Sequence, residues 1–261
     1  MIALIIAYIK FWFRSGNQHG VHSPFVYDLI TKCFYDKKKY PIYAQLKNYR
    51  EQLRSNDDII NVTDLGVGNQ VMNSDTIHID RKVSFIAKRA GTTTYRAKLL
   101  FRLVHYFKFE NILELGSSLG IGTYAMSLGN PSASITSIEG CPNISRFTAQ
   151  NLKNNQISNV EILTGNFDDV LNQLDASNYD LIFVDGNHQK EATVQYFELL
   201  LPKAHNDSVF IFDDIYWSKG MTEAWNIIKD HPQVTVSIDT FFWGFIFFRK
   251  EQPKEHFRIR L

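Results

Sequence analysis

Apolar residues follow helical spacing over the first part of the chain and change to short continuous runs after about residue 90. In the segment after Pro41, four apolar residues recur every three or four positions, with charged residues between them, which predicts an amphipathic helix. These residues are Ile42, Leu46, Tyr49 and Leu53. Ser23 followed by Pro24 predicts another helix start. We therefore expect residues 1–90 to form a helical region that serves in packing, as a lid or in oligomerisation.

Seven apolar runs follow a predicted helix at residues 95–107. They are NILELG (111–116), SITSIE (134–139), VEILTG (160–165), DLIFVDG (180–186), SVFIFDD (208–214), QVTVSID (233–239) and FFWGFIFFRK (241–250). The first five are separated by helix-length segments, which predicts parallel strands with helices on both faces. The last two are joined by almost nothing and must pair as an antiparallel hairpin. The predicted fold is α/β, a doubly wound, mostly parallel seven-stranded sheet in a domain at 91–261, with an N-terminal helical extension.

Composition and charge limit the classes of partner that the protein is expected to bind. A net charge of +1 over 261 residues gives no reason to expect nucleic acid. Two cysteines make no disulfide framework, and a cytoplasmic location is the default expectation. The apolar start MIALIIAYIKFWF is interrupted by Lys10 and ended by Arg14, so it is too short for stable membrane insertion. We expect it to pack on the chain or on a second subunit in a homodimer. An interfacial membrane helix is the alternative.

The stretch ILELGSSLGIGT (112–123) places Gly116, Gly120 and Gly122 after a strand and before a helix. It contains no lysine, which argues against a triphosphate-binding loop, and its glycine spacing differs from the dinucleotide fingerprint. Glu114 ends the strand. A carboxylate is poorly placed beside a pyrophosphate but suits a ligand that carries an ammonium and a sulfonium group.

Later strand ends add further ligand contacts. Glu139, after the second run, is expected to accept hydrogen bonds from both hydroxyls of a ribose. Asn166 and Phe167, after the third run, are expected to bond and cover an adenine. A second glycine segment at 59–68 is interpreted as a decoy, because no amphipathic helix opens directly after it.

The segments ELGSSLG, IEGCP and GNFDD and the terminal hairpin occur in the order found in class I S-adenosylmethionine (SAM)-dependent methyltransferases. From about residue 91 the chain resembles that family, and is most similar to small-molecule O-methyltransferases of the catechol type. The resemblance implies the Rossmann-like methyltransferase fold and SAM as cofactor. The predicted cofactor-binding residues are Glu114, Gly116, Ser117, Ser118, Gly120, Gly122, Thr123, Glu139, Gly140, Asn166, Phe167 and Asp185.

Three carboxylates end the fourth and fifth runs: Asp185, Asp213 and Asp214. The carboxyl ends of neighbouring parallel strands open on one crevice, so we expect these acids to converge and to need a cation. Oxygen ligands favour Mg²⁺, Mn²⁺ or Ca²⁺, and the resemblance implies Mg²⁺. In the alternative interpretation, Asp185 serves only the cofactor and the other two acids cap the next helix.

His188, three residues beyond Asp185, is the candidate general base, because histidine titrates near neutrality. It stands where catechol-type enzymes carry a lysine base. Lys190 is the reserve candidate, and the alternative is a histidine that only orients Asp185. Four aromatic residues either wall an acceptor pocket or pack in the core. They are Trp217, Phe241, Phe242 and Trp243.

The predicted function is transfer of the SAM methyl group to a hydroxyl oxygen of a small molecule, with Mg²⁺ assistance. Two alternatives remain open: methyl transfer to nitrogen or another acceptor without a metal, and a non-catalytic module that binds the nucleotide. Aminopropyl transfer from the decarboxylated cofactor is disfavoured, because it would need an acidic polyamine channel and few acids lie near the fourth apolar run.

Overall fold

The computed structural model describes residues 2–63, 78–175 and 177–261. Its α-helices are α1 (Ile2–Arg14), α2 (Pro24–Leu29), α3 (Ile42–Ser55), α4 (Val83–Arg89), α5 (Thr94–Phe107), α6 (Ile121–Gly129), α7 (Pro142–Asn154), α8 (Phe167–Leu171), α9 (Lys190–Leu200) and α10 (Lys219–Asp230). Its strands are β1 (Ile59–Thr63), β2 (His78–Lys82), β3 (Asn111–Leu115), β4 (Ser134–Glu139), β5 (Val160–Thr164), β6 (Leu181–Val184), β7 (Val209–Asp213), β8 (Val236–Asp239), β9 (Trp243–Phe247) and β10 (Glu255–Arg258).

The chain divides into two compact units. The first unit consists of Met1–Tyr35 and Leu174–Leu261, and the second unit of Asp36–Gln173. Neither boundary falls near residue 90. The functional division at that residue, between a helical region and a catalytic domain, stays a prediction.

In the second unit, the predicted parallel strands are confirmed. β4 pairs with β3 on one side and with β5 on the other, both in parallel. Helices α5 and α6 pack closely because Gly129 has no side chain. A Cβ at Gly129 would lie 2.7 Å from Val104 Cβ and 2.9 Å from the carbonyl oxygen of Phe101.

The prediction of helices and loops alone before residue 90 is wrong. Strands β1 and β2 form an antiparallel pair, in which Ile60 stands opposite Arg81. Only Ile60 is buried in this pair, so the apolar signal of these strands is weak. The glycine segment 59–68 was interpreted as a decoy. Its first five residues form strand β1, and residues 64–68 lie outside the described residues.

In the first unit, β6 and β7 are parallel, and β8 and β9 form the predicted antiparallel hairpin. β9 also pairs antiparallel with β7. β10 adds in parallel to β8, so the first unit has five strands among its described residues where the sequence predicted four. The missed strand, β10, alternates half-buried and exposed residues and has no apolar run.

The apolar N-terminal stretch is helix α1. One side of it packs in the first unit, where the buried Phe11 lies with its ring centroid 5.6 Å from that of Phe241. No helix among the described residues has both the length and the apolar character needed to cross a membrane.

Candidate cofactor site

The loop between β3 and α6 has a tightly constrained backbone. Gly116, Ser118 and Gly120 have positive φ angles of 98°, 46° and 74°. A Cβ at Gly120 would come within 2.7 Å of Thr148 Cγ2, so glycine is needed there for space as well as for conformation. The helix α6 starts at the next residue, Ile121. The loop therefore leads directly into a helix N-terminus, the arrangement in which backbone N–H groups bind ligands.

Glu139, the last residue of β4, joins two loops. Its Oε2 accepts a hydrogen bond from the backbone N–H of Ser118 at 2.9 Å, and its Oε1 accepts one from Cys141 at 2.9 Å. Burial raises the pKa of this carboxyl, and the N–H donors of Cys141, Ser118 and Gly140 oppose that shift. The side chain is only half-buried. Because an ionised carboxylate has about four acceptor positions, Glu139 keeps capacity to accept hydrogen bonds from ligand hydroxyls.

Glu114 lies beneath the loop and is 1% exposed. Its Oε2 accepts hydrogen bonds from the hydroxyls of Thr123 at 2.5 Å and Ser137 at 2.6 Å. Burial raises its pKa to about 7, although both hydroxyl donors oppose the shift. Gly122 leaves room for it, since a Cβ there would be 2.9 Å from Glu114 Oε1. The structure thus gives Glu114 a contact with the first turn of α6, and its direct contact with a cofactor stays a prediction.

Two serines of the loop are held by neighbouring side chains. The Ser117 hydroxyl lies 2.7 Å from that of Ser137, which in turn donates to Glu114. The Ser118 carbonyl accepts a hydrogen bond from the Thr148 hydroxyl at 2.6 Å. Side chains from β3, β4 and α7 therefore fix the loop before any ligand binds, which lowers the entropic cost of binding.

Tyr49 of α3 contacts the loop between β3 and α6, a role that the sequence did not predict. Its ring stacks on Tyr124 with centroids 4.3 Å apart, and its hydroxyl donates to the carbonyl of Leu119 at 3.0 Å. The same hydroxyl would lie 3.1 Å from a Cβ at Gly120. Burial raises the pKa of Tyr49 above its ordinary value, so it stays protonated and able to donate.

Asn166 and Phe167 stand at the start of α8. The Asn166 side chain caps this helix by accepting a hydrogen bond from the N–H of Asp168 at 3.2 Å. The preceding Gly165 N–H donates to the carbonyl of Glu139 at 3.1 Å. The turn between β5 and α8 therefore lies next to the backbone at the end of β4. The contacts of Asn166 and Phe167 with adenine stay predictions.

The three predicted metal ligands lie in the first unit, where Asp185 follows β6 and Asp213 ends β7. Asp213 Oδ1 accepts a hydrogen bond from the N–H of Asp214 at 2.8 Å. Asp214 has a φ of 53°, and its carbonyl accepts one from Trp217 at 2.8 Å, so the pair shapes a turn. Within the described residues, no group of three or more His, Cys, Asp and Glu side chains is arranged to hold a metal ion.

His188 lies beside Asp185, with 3.9 Å between Nε2 and Oδ1, and both side chains are about one-quarter exposed. The reserve candidate Lys190 instead pairs with Glu223, with 2.7 Å between Nζ and Oε2. This carboxylate raises the pKa of Lys190. Because Lys190 is held protonated, it is a poor base, and His188 is the better candidate.

The four aromatic residues predicted to wall a pocket or to pack divide into two pairs. Trp243 and Phe241 are buried, and Trp243 packs edge to face on Phe183. Trp217 and Phe242 are exposed. Packing accounts for the buried pair, and a role in acceptor binding stays a prediction for the exposed pair.

Residues 113–215 match a family model described as a methyltransferase domain. No curated protein sequence matches the chain. Among solved structures, the SAH-bound methyltransferase of Podospora anserina is similar, with a TM-score of 0.62 and 14% identity over 88% of this chain and 97% of that one. SAH is the demethylated product of SAM.

Two further similar structures are O-methyltransferases. TomG of Streptomyces achromogenes, involved in tomaymycin synthesis and solved with SAM, has a TM-score of 0.57 and 16% identity over 81% of this chain and 91% of that one. The enzyme of Bacillus cereus, solved with SAH, has a TM-score of 0.54 and 17% identity over 82% of this chain and 94% of that one. At such identities, the likeness shows a shared fold.

Proposed function

We propose that this chain, whose residues 113–215 match a methyltransferase domain, is a SAM-dependent enzyme that methylates a hydroxyl oxygen of a small molecule. The observation that carries this proposal is Glu139. It ends β4 half-buried, fixed by two loop N–H groups, with acceptor capacity left for the hydroxyls of a ribose. The crowded glycine turn at Gly120 supports it, because the space that a Cβ would fill is already occupied.

The residues present fit SAM. Glu139 would bind the ribose, the loop 116–120 would approach the charged amino-acid end, and Asn166 with Phe167 would contact the adenine. When bound, SAM supplies an electrophilic methyl group on a sulfonium, which becomes a neutral thioether as the methyl leaves. The chain contributes by holding donor and acceptor in line, which is worth several orders of magnitude in effective concentration.

His188 would take the proton that the acceptor hydroxyl loses. A neutral imidazole can accept it near neutral pH, and Asp185, 3.9 Å away, would stabilise the imidazolium that results. Lys190 cannot substitute while it is paired with Glu223.

Mg²⁺ assistance, also predicted from the sequence, has weaker support. Within the described residues, the three acids do not form a group that could hold a metal ion, and the proposed proton transfer to His188 needs none. Cys33 and Cys141 are both buried, and the cytoplasmic location expected from the sequence stays a prediction.

The test is a transfer assay with methyl-labelled SAM and a panel of phenols, catechols, glycosides and amines, each with added Mg²⁺ and with excess chelator. We expect label in hydroxyl acceptors. Label confined to amines would contradict O-methylation, and tight SAM binding without any transfer would support a non-catalytic module. Full activity in chelator would rule out the metal.

A further inference from the structure

Helix α1 carries a continuous apolar surface that the protein does not cover. This surface, the α1 apolar face, consists of Ile5, Ile6, Ile9, Trp12 and Phe13. The first four residues are about half exposed, and Phe13 is 83% exposed. Single exposed apolar residues are ordinary, but five on one short helix mark an interaction site.

The spacing of these residues gathers them on one side of the helix. At 3.6 residues per turn, the five positions fall within an arc of about 120°. Phe11, on the opposite side, is buried against Phe241. The α1 apolar face is thus separate from the face that attaches the helix to the first unit.

The exposed surface continues beyond the helix. Tyr8 packs edge to face on Phe241, and Phe241 contacts Phe242, with ring centroids 4.9 Å and 5.0 Å apart. Phe242 is 46% exposed. The turn between β8 and β9 therefore extends the patch.

Both charged side chains of α1 are positive. Lys10 and Arg14 are the only charged side chains of α1, and both are exposed. Lys10 lies about 40° beyond the edge of the arc, and Arg14 lies about 80° beyond it, in the last turn of the helix. The guanidinium of Arg260 lies 4.6 Å from the Trp12 ring. Three cations border the patch, and α1 offers no carboxylate to pair with them.

This charge pattern distinguishes two candidate partners for the α1 apolar face, a second copy of the chain and a lipid surface. A second copy of the chain, related by a two-fold axis, would bring the same surface and the same cations towards each other. An anionic lipid surface complements the cations, and the interfacial region also suits tryptophan and tyrosine. The 13 residues of α1 extend about 20 Å, against a hydrocarbon core of about 30 Å, so the helix can lie in the interface but cannot span it.

We propose that α1 docks the protein on the surface of a membrane that contains anionic lipids. The α1 apolar face enters the boundary between headgroups and acyl chains, while Lys10, Arg14 and Arg260 contact lipid phosphates and carboxylates. The contact is peripheral and reversible, since one short helix supplies it.

The test is co-sedimentation of the full chain with vesicles of phosphatidylcholine alone, or of phosphatidylcholine and phosphatidylserine in equal amounts. We expect binding to the mixed vesicles that weakens with added salt. The triple variant Ile5→Ser, Ile9→Ser, Phe13→Ser should bind at least roughly tenfold more weakly, because burial of apolar area drives insertion. Lys10→Gln with Arg14→Gln should weaken binding to the mixed vesicles by roughly tenfold and remove most of its salt dependence.

The matched control replaces three exposed apolar residues of the second unit, as Ile59→Ser, Ile79→Ser, Phe85→Ser, and should bind like the wild type. Thermal unfolding of each variant checks its fold. Equal binding to neutral vesicles, no vesicle binding, or equal loss in the control would overturn the proposal. So would a dimer in sedimentation equilibrium that the α1 variant abolishes, since a second copy would then cover the face. The assay needs no methyl acceptor and is independent of the proposed activity.

Discussion

Glu139 combines two tasks in one carboxylate, because it fixes Ser118 and Cys141 and is expected to bind ribose. We expect Glu139→Ala to weaken SAM and SAH binding by about 1.5–3 kcal/mol, the range for hydrogen bonds to a charged group. Calorimetric titration measures this. Glu161→Ala, on the exposed side of the neighbouring strand β5, should bind normally. Unchanged affinity in Glu139→Ala would remove Glu139 from the site.

His188 is expected to act in the chemical step and not in cofactor binding. His188→Gln should lower turnover by roughly 10²–10⁴-fold while calorimetric SAM affinity stays near wild type. The comparison variant Lys190→Gln should retain most of its turnover, because Lys190 is engaged with Glu223. If His188→Gln keeps wild-type turnover on an acceptor that is not already ionised, His188 is not the base.

Glu114 makes stability depend on pH. Its ordinary pKa is 4.5, and burial raises it to about 7 in the folded protein. Between these values the folded state holds a proton that the unfolded state has lost, so the stabilising contribution of Glu114 is fully present below pH 4.5 and is lost as pH rises to about 7. The fall attributable to Glu114 is about 3 kcal/mol. Glu114→Gln should remove this part of the pH dependence in denaturant titrations, whereas Glu161→Gln should keep it. An unchanged pH profile in Glu114→Gln would contradict the assignment.

At the scale of single residues, the sequence indicated Glu114 and Glu139 because both end apolar runs beside glycines. It placed Tyr49 on the apolar side of a helix but did not identify its partner. The contact of Tyr49 with Leu119 joins residues 70 positions apart, and no local pattern encodes such a pairing.

Among the elements, strands with continuous apolar runs were predictable, and strands without them were not. β3, β6 and β7 are almost entirely buried, so apolar residues predominate in their sequences. β10 buries only alternate positions, and β1 buries only Ile60. Polar edge strands owe their place to backbone pairing, which leaves a weak signal in side-chain pattern.

The contact between α5 and α6 gives a prediction at this scale. Alanine favours a helix over glycine by about 1 kcal/mol, but a Cβ at Gly129 would meet Val104 Cβ and a backbone oxygen within 3 Å. Overpacking of this kind costs about 1–3 kcal/mol. Gly129→Ala should therefore lower the free energy of unfolding, measured in denaturant. Gly20→Ala, where a Cβ would meet nothing within 4 Å, should be close to neutral, and a stabilised Gly129→Ala would refute the close approach.

At the scale of the whole molecule, the first unit draws on both parts of the chain, which order along the sequence cannot reveal. Phe34 packs on Phe245, and Phe25 packs on Phe247, with ring centroids 5.0 Å and 5.1 Å apart. The Tyr35 hydroxyl donates to the carbonyl of Arg260. The N-terminal residues are thus part of the core of the first unit. From the sequence, the apolar runs after residue 180 were expected to form this core without them.

A chain that begins at residue 91 should accordingly fail to fold into a stable first unit. It would lack Val26, Leu29, Ile30 and Phe34, all at most 2% exposed, and each buried apolar side chain contributes about 1.5–3 kcal/mol. A chain that begins at residue 15 removes only α1 and keeps these residues. Soluble yield and cooperative thermal unfolding distinguish the two. Cooperative unfolding of the shorter chain would show that residues 1–90 are a separable region.

Because the first unit is built from two separate segments of the chain, its parts are synthesised at different times. The second unit is contiguous, so it can complete its core while later residues are still on the ribosome. The N-terminal segment Met1–Tyr35 must wait until Asp36–Gln173 and then its partners in Leu174–Leu261 have been made, a delay of roughly 11–45 s at 5–20 residues per second. Throughout that interval, Phe25 and Phe34 stay exposed beside the apolar α1. We therefore expect chaperones, or an early membrane contact, to bind the N-terminal segment of the nascent chain.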